Sequence, residues 1–252
     1  MRVFALIGYP LTHSFSKKYF TEKFENEGIE NSCYELLELP DYQNFPELIK
    51  AHSDLSGLNV TIPHKQNIIP FLDELDAASA ERIGAVNTIK FLPDGKLKGY
   101  NTDYYGFRIS LEKWLADLTI IPSTLKALVL GNGGAAKAVL ATLKDLHIDH
   151  KIVSRQPGNH EDAISYDDLT ADIIAEHLLI INTSPVGTYP KIEECPAIPY
   201  ALVSQQHLLY DLVYNPAETL FLKKGKKQGA QTHNGLPMLQ LQAEKAWEIW
   251  NS

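Results

Sequence analysis

Leu128-Val129-Leu130-Gly131-Asn132-Gly133-Gly134-Ala135-Ala136-Lys137-Ala138-Val139 is the stretch that decides how this chain folds. An apolar run over Leu125–Leu130 reads as a buried strand, a glycine cluster follows, and an Ala-rich helix continues to about Leu146. Gly131 permits a tight turn, Gly133 lets backbone approach a pyrophosphate, and the small residues behind allow the helix to pack closely on the strand. The start of such a helix offers free N–H groups and the positive end of its dipole to phosphate. With a strand before it and a helix after it, the cluster reads as a dinucleotide-binding turn; a purely structural turn is the alternative.

The next strand, Lys151–Ser154, carries the cofactor preference. A site for NAD usually ends that strand on Asp or Glu, to hold the ribose 2′-hydroxyl, whereas a site for NADP has Arg nearby for the 2′-phosphate. Here Val153 is followed by Ser154-Arg155, and the first acid is Glu161. A guanidinium matches phosphate and a carboxylate repels it, so the expected cofactor is NADP. The bland reading of Arg155 is a solvated loop charge.

Strand-like and helix-like segments alternate on both sides of this unit. Toward the N-terminus, strands are expected at Arg2–Ile7, Tyr34–Leu39, Leu58–Ile62 and Ala85–Phe91. Helices are expected at Ser16–Glu27, Asp41–Ala51 and Glu74–Ile83. Asp94-Gly95 is a hairpin signal, with Lys96–Tyr100 returning. Toward the C-terminus, Tyr104–Leu115, Ala217–Lys227 and Leu236–Trp250 read as helices, and Leu178–Asn182 and His207–Leu212 as strands. Gln156–Asp162 and Tyr189–Pro199 carry the least pattern and read as surface loops. This alternation predicts an α/β protein with a largely parallel sheet covered on both faces.

The chain has 252 residues, 44% of them hydrophobic and 21% charged, within the ordinary range for a globular protein of about two domains. The 23 Lys and Arg against 31 Asp and Glu give a net charge of −8, which argues against nucleic acid or anionic lipid as a partner. The N-terminus lacks the long apolar run of a signal peptide, and no stretch approaches the roughly 18 apolar residues of a membrane span. Cys33 and Cys195 share no metal or redox spacing and read as free thiols. A cytoplasmic protein is expected, with no metal.

Polar residues in the first 103 positions sit awkwardly for a pure core. Ser14 and Ser16 stand where a strand hands over to a helix, as caps or as a grip for a carboxylate. In Asn59-Val60-Thr61-Ile62-Pro63-His64-Lys65, Asn59 and Thr61 share one face of an extended segment, with Lys65 close behind. Asn87 interrupts an apolar strand, and Asp103 could simply cap the helix that follows. Each residue taken alone favours a structural role.

Together, these segments resemble the shikimate dehydrogenases, in order from Gly8 to Trp250. The blocks are Gly8-Tyr9-Pro10-Leu11 with Ser14 and Ser16, Asn59 to Lys65, Gly84-Ala85-Val86-Asn87-Thr88, and Gly99-Tyr100-Asn101-Thr102-Asp103. After the glycine turn come Asn182-Thr183-Ser184-Pro185-Val186-Gly187, Tyr210-Asp211-Leu212-Val213-Tyr214-Asn215-Pro216, and Asn234-Gly235-Leu236-Pro237-Met238-Leu239 with Gln242. The family reduces 3-dehydroshikimate to shikimate with NADPH on the route to chorismate and the aromatic amino acids.

The resemblance implies a two-domain α/β fold: a substrate domain over 1–102, completed by the C-terminal helix 236–252, and a Rossmann-type NADP-binding domain over 103–235. The active site would lie in the interdomain cleft. Lys65 would be the acid/base and Asp103 its partner. Ser14 and Ser16 would bind the substrate carboxylate with Tyr214 near it, and Asn59, Thr61, Asn87 and Gln242 would bind ring oxygens. Gly131, Gly133, Gly134 and Ala135 would carry the pyrophosphate, and Ser154 and Arg155 the 2′-phosphate. Thr183, Val213, Gly235 and Met238 would line the nicotinamide pocket. Here Ser154-Arg155-Gln156-Pro157 stands where the family often has Asn-Arg-Thr and a further base, and His160 is the nearest later basic residue. The partner would be the small-molecule substrate, the protein a monomer or homodimer. The alternatives are a quinate/shikimate dehydrogenase that uses NAD, and a non-catalytic nucleotide-sensing module.

Overall fold

The structure, a computed structural model, describes residues 1–11, 15–158 and 163–252. Ser14 and His160 lie outside the described residues. The chain divides into two compact units, Met1–Thr102 with Ala243–Ser252, and Asp103–Gln242.

The first unit begins with β1 (Arg2–Gly8), α1 (Phe15–Asn26), β2 (Ser32–Glu38), α2 (Phe45–Ala51) and β3 (Leu55–Val60). It continues with β4 (Glu74–Leu75), β5 (Thr88–Phe91) and β6 (Leu97–Tyr100). The sheet order is β2-β1-β3-β5-β6-β4. β1 is parallel to β2 and β3, while β5 runs antiparallel to β3 and β6 through the turn at Asp94-Gly95. This sheet is therefore mixed.

β1 shows why the sheet is covered on both faces. Side chains alternate along a strand, and here both alternating sets are apolar. Phe4 and Leu6 pack with Phe20, Phe24, Tyr34 and Trp250, while Val3, Ala5 and Ile7 pack with Leu39, Phe45, Leu58 and Val60. The indole of Trp250 stacks on Phe4 and donates from Nε1 to the Ile89 carbonyl at 3.1 Å. It lies over Gly57, where a Cβ would come within 2.5 Å of the ring. Trp250 is thus core.

Two expected helices differ. Asp41–Ala51 starts as a 3-10 turn, Tyr42–Asn44, and α2 follows it with Pro46 in its first turn, where the missing N–H costs nothing. Glu74–Ile83 is not one helix. Glu74–Leu75 pairs with Lys98–Gly99 as β4, and Glu74 meets the ammonium groups of Lys96 and Lys98. Only then does a wide turn, Ala77–Glu81, form, closed by the Glu81 N–H on the Asp76 carbonyl. Cross-strand charge pairs hold Glu74 in the sheet despite its helix propensity.

The second unit contains α3 (Thr102–Asp117, from its second residue on), β7 (Lys126–Leu130), α4 (Gly134–Asp145) and β8 (Asp149–Val153). Next come β9 (Ala163–Ile164), α5 (Ala171–Glu176), β10 (Leu179–Asn182), β11 (Leu208–Asp211), α6 (Leu220–Lys227) and β12 (Gln231–His233). The last helix is α7 (Leu236–Asn251). All six strands are parallel, in the order β12-β11-β10-β7-β8-β9. From β7 the chain winds one way through β8 and β9, then returns to build β10, β11 and β12 on the other side. This is the doubly wound dinucleotide-binding topology, whose order reverses between β7 and β10. Ala127 and Val129 pack with Phe107, Leu111 and Tyr210 on one face; Leu128 and Leu130 pack with Leu209 and Phe221 on the other.

α7 is shared. Residues 236–242 belong with the second unit and 243–252 with the first, where the sequence expectation gave the whole helix to the first. The reason lies at Gly106 of α3, where a Cβ would come within 2.5 Å of the Met238 carbonyl and 3.0 Å of the Gln242 Cβ. α3 thus packs closely against the first turns of α7. Among the described residues, no helix is long and apolar enough to cross a membrane.

Candidate active site

In the second unit a pocket of about 630 Å³ opens at the end of β7, where the strand order reverses. Ligands of doubly wound sheets bind at this place, beyond the carboxyl ends of the strands. Gly131, Gly133, Ser154, Arg155 and Thr183 line it, together with Asn132, Val153 and Ser184–Val186. Five residues expected from the sequence to touch the cofactor are therefore brought together.

Gly131 has φ +115°, a conformation side chains rarely adopt, and its N–H donates to the Val153 carbonyl at 2.9 Å. A Cβ there would also come within 2.9 Å of Thr183 Oγ1. Gly133 is the N-cap of α4 and supplies no side chain to cap it. The N–H groups of Gly134 and Ala135, in the first turn, are thus left for an anion. Among the described residues nothing lies within 4 Å of a Cβ built on Gly133, so they leave that space open to a ligand. This cradle fits a pyrophosphate.

Ser154 follows β8 and is held by bonds between its hydroxyl and the Gln156 backbone, 3.2 Å each. Arg155 is exposed on the pocket wall beside the phenol of Tyr166, which burial pushes up and Arg155 pulls down. One guanidinium beside a hydroxyl, with no acid ending β8, suits a 2′-phosphate.

The other proposed nicotinamide residues stand apart from this lining. Val213 N–H donates to Asp211 Oδ1 at 3.0 Å, and Gly235 N–H to the Val213 carbonyl at 3.2 Å. A Cβ on Gly235 would come within 2.0 Å of the Leu212 carbonyl, so only glycine fits. Met238 is buried in the core with Phe107 and Tyr210. The sequence reading missed Ser165, Tyr166, Asp167 and Cys195–Ala197, which complete the wall. They fall in or beside stretches with no periodicity and gave no signal.

The first unit collects polar residues differently. Ser16 at the start of α1 hydrogen-bonds the Tyr34 hydroxyl, and that hydroxyl donates to Asn59 Oδ1 at 2.7 Å. Asn59 spends its amide hydrogens on the Asn87 carbonyl (3.2 Å) and Thr88 Oγ1 (3.1 Å). Asn87 Oδ1 accepts from the Thr102 N–H at 2.7 Å and so caps α3. Ser16, Asn59 and Asn87 are thereby joined through Tyr34 and Thr88, neither of which the sequence singled out. Complete burial pushes the Tyr34 phenol up, so it stays a donor.

Thr61 and Lys65 lie in the turn after β3. Thr61 N–H reaches the Ile7 carbonyl at 2.9 Å, and the Lys65 carbonyl accepts from Val86 N–H at 2.7 Å. Lys65 is half-buried. Asp103, 8% exposed, stands in the first turn of α3, where the helix dipole favours a carboxylate. Gln242 is buried on α7 and Tyr214 half-buried after β11. Lys65 belongs to the first unit; Asp103, Tyr214 and Gln242 belong to the second. Among the described residues, no cluster of His, Cys, Asp and Glu could hold a metal ion.

Known proteins resemble the chain over nearly its full length. A family model described as the shikimate dehydrogenase substrate binding domain matches residues 6–89. A shikimate dehydrogenase (NADP(+)) of Clostridium beijerinckii is 41% identical, over 99% of this chain and 92% of that one. The crystal structure of a chorismate mutase/shikimate 5-dehydrogenase fusion protein from Clostridium acetobutylicum superposes with a TM-score of 0.87 at 38% identity, covering 100% of this chain and 91% of that one. A shikimate 5-dehydrogenase of Thermus thermophilus, crystallised with NADP(H) and shikimate, gives 0.85 at 32% identity, over 99% and 93%.

Proposed function

The chain belongs to the shikimate dehydrogenase family, and from that premise we propose that it catalyses the reversible, NADPH-dependent reduction of 3-dehydroshikimate to shikimate in aromatic biosynthesis. The observation that carries the cofactor half is the open cradle at Gly131–Ala135, with Ser154 and Arg155 on the same pocket. NADPH supplies the hydride when bound. Gly131, Gly133, Gly134 and Ala135 hold its pyrophosphate, Ser154 and Arg155 its 2′-phosphate, and Thr183, Val213, Gly235 and Met238 surround its nicotinamide.

The remaining work is orientation and one proton. Negative charge grows on the substrate carbonyl oxygen during reduction. The Lys65 ammonium stabilises that charge and donates the proton; in the oxidative direction the neutral amine accepts it. General acid–base work of this kind is worth about 10²–10⁴-fold. Asp103 hydrogen-bonds the same hydroxyl and orients the ammonium. Ser14, Ser16 and Tyr214 bind the carboxylate. Asn59, Thr61, Asn87 and Gln242 bind ring oxygens, Asn59 through the second lone pair of its Oδ1. The cytoplasm, where NADPH and the pathway's intermediates meet, is the location this role calls for.

The test is loss of NADPH absorbance on adding 3-dehydroshikimate to the purified protein, with the quinate-pathway analogue and NADH as comparators. Rapid turnover of 3-dehydroshikimate with NADPH is expected. Tight NADPH binding without turnover would contradict the reading in favour of a nucleotide sensor, and equal or better turnover with NADH would contradict the cofactor assignment.

A further inference from the structure

Asp211 ends β11 with no exposed surface, and the mechanism above does not use it. Its carboxylate accepts three hydrogen bonds: from Asn182 Nδ2 at 2.9 Å, Val213 N–H at 3.0 Å and Thr219 Oγ1 at 2.5 Å. None of these donors carries charge, and among the described residues no cation pairs with it. A buried carboxylate without a cation is costly, so its retention needs a reason.

The reason lies in what Asn182 does with the other end of its amide. Asn182 Oδ1 accepts from the Ser184 N–H at 3.1 Å and from Ser184 Oγ at 2.6 Å. Ser184 Oγ in turn faces the Val186 N–H at 3.4 Å. The Thr183–Val186 turn is a wall of the cofactor pocket. An amide has one accepting end and one donating end, and the Asp211 acceptor, joined by the Val186 carbonyl 3.4 Å from Nδ2, turns the NH2 inward and the oxygen toward Ser184. The same carboxylate holds the Val213 N–H, whose carbonyl receives Gly235 N–H.

We propose that Asp211 is the positioning residue of the cofactor site: its carboxylate sets the orientation of the Asn182 amide, and through it the Thr183–Val186 wall, while its other contacts fix the Val213–Gly235 segment. This rests on the reading of the pocket as the NADPH site. Asn182 Nδ2 and Val213 N–H both donate to Oδ1 and so form two charge-assisted bonds at one oxygen of the anion, while Thr219 Oγ1 alone donates to Oδ2. The Thr219 hydroxyl alone can turn to accept. A proton on Asp211 therefore goes to Oδ2; it breaks neither bond at Oδ1 but removes the charge that strengthens both, and so loosens the hold on the Asn182 amide and on the wall. Burial pushes the Asp211 carboxyl up to about 6, opposed by the Thr219, Val213 and Asn182 bonds, so the switch falls at mildly acid pH. The titratable group that faces it is Tyr200, whose phenol burial keeps protonated, with the Cys195 thiol beside that.

The experiment measures NADPH affinity by fluorescence titration from pH 5.5 to 8 in wild type, Asp211→Asn and Ser184→Ala. The reduced ring is uncharged, and the cofactor's own 2′-phosphate titrates equally in all three proteins, so the contribution of Asp211 is the difference between profiles. Wild type should lose about fivefold or more affinity beyond the phosphate effect as pH falls, the usual size of a coupling between sites. Asp211→Asn should bind weakly and lack that extra pH dependence, at an unchanged melting temperature near neutral pH. Ser184→Ala, which cuts the last link at the pocket surface, should flatten the profile without the risk of misfolding. Profiles in both variants that superimpose on wild type would overturn the proposal. Wild-type protein that neither binds NADPH nor turns over 3-dehydroshikimate would instead overturn the functional reading beneath it.

Discussion

In the second unit, β7 runs straight into a glycine at φ +115° and an uncapped helix. In the first, β3 runs into a turn of Thr61, His64 and Lys65, backed by Tyr34, Asn59, Asn87 and Thr88 bonded to one another. One site is made by what is left out: a Cβ, a cap, a carboxylate at the end of β8. The other is made by polar side chains that are present and largely satisfied within the protein. An absence beside a phosphate-sized space points outward to a ligand. A satisfied polar network reads as structure until a substrate is considered.

The sharpest way to break this contrast is at Lys65. Lys65→Ala should lower kcat by about 10²-fold or more while NADPH affinity and the melting temperature hold, as seen in steady-state kinetics with a parallel binding titration. Asp103→Ala should behave likewise. Near-normal turnover in both would remove the claim of Lys65 and Asp103 to the chemistry.

Next in size is a pair of glycine substitutions that look alike but should act differently. A Cβ at Gly57 meets the Trp250 ring, and one at Gly131 meets Thr183 Oγ1. Gly57→Ala should cost about 1–3 kcal/mol of stability through overpacking, read by denaturant melts, with NADPH affinity retained. Gly131→Ala should instead raise the KM for NADPH, since its strain falls on the pocket lip.

The smallest effect concerns pH. The Asp211 carboxyl is raised from 3.8 to about 6 by burial. Between those values the folded protein keeps a proton that the unfolded chain has lost, so stability falls as pH rises across the window and is flat above it. Wild type should therefore lose stability relative to Asp211→Asn, by the order of 1 kcal/mol, between pH 4.5 and 7, in paired melts. A gap constant with pH would contradict the raised carboxyl. Holding Asp211 ionised at neutral pH costs stability at the place where the charge strengthens its bonds to Asn182 and Val213, a trade familiar at functional sites.

Legibility in the sequence follows the same contrast. The glycine turn, the parallel strands around it and the hairpin at Asp94-Gly95 each follow from local chemistry, and all are found. β12, three residues of mixed polarity, and β9, two residues long, carry too little pattern to be read. Glu74–Leu75 misled because its partner strand, not its own propensity, sets its conformation. Tyr34 and Asp211 were invisible as site residues for another reason. One resembles any core aromatic and the other any strand-end acid, and only the bonds to Asn59 and Asn182 give them meaning.

The central claim is that the pocket at the end of β7 holds the cofactor and that Arg155 reads its 2′-phosphate. Calorimetric titration of Arg155→Ala with NADPH and, separately, with shikimate tests it most directly. Affinity for NADPH should fall about tenfold or more, as expected for losing a charge-assisted bond to phosphate, while affinity for shikimate stays that of wild type. Equal losses for both ligands, or no loss for NADPH, would contradict the account.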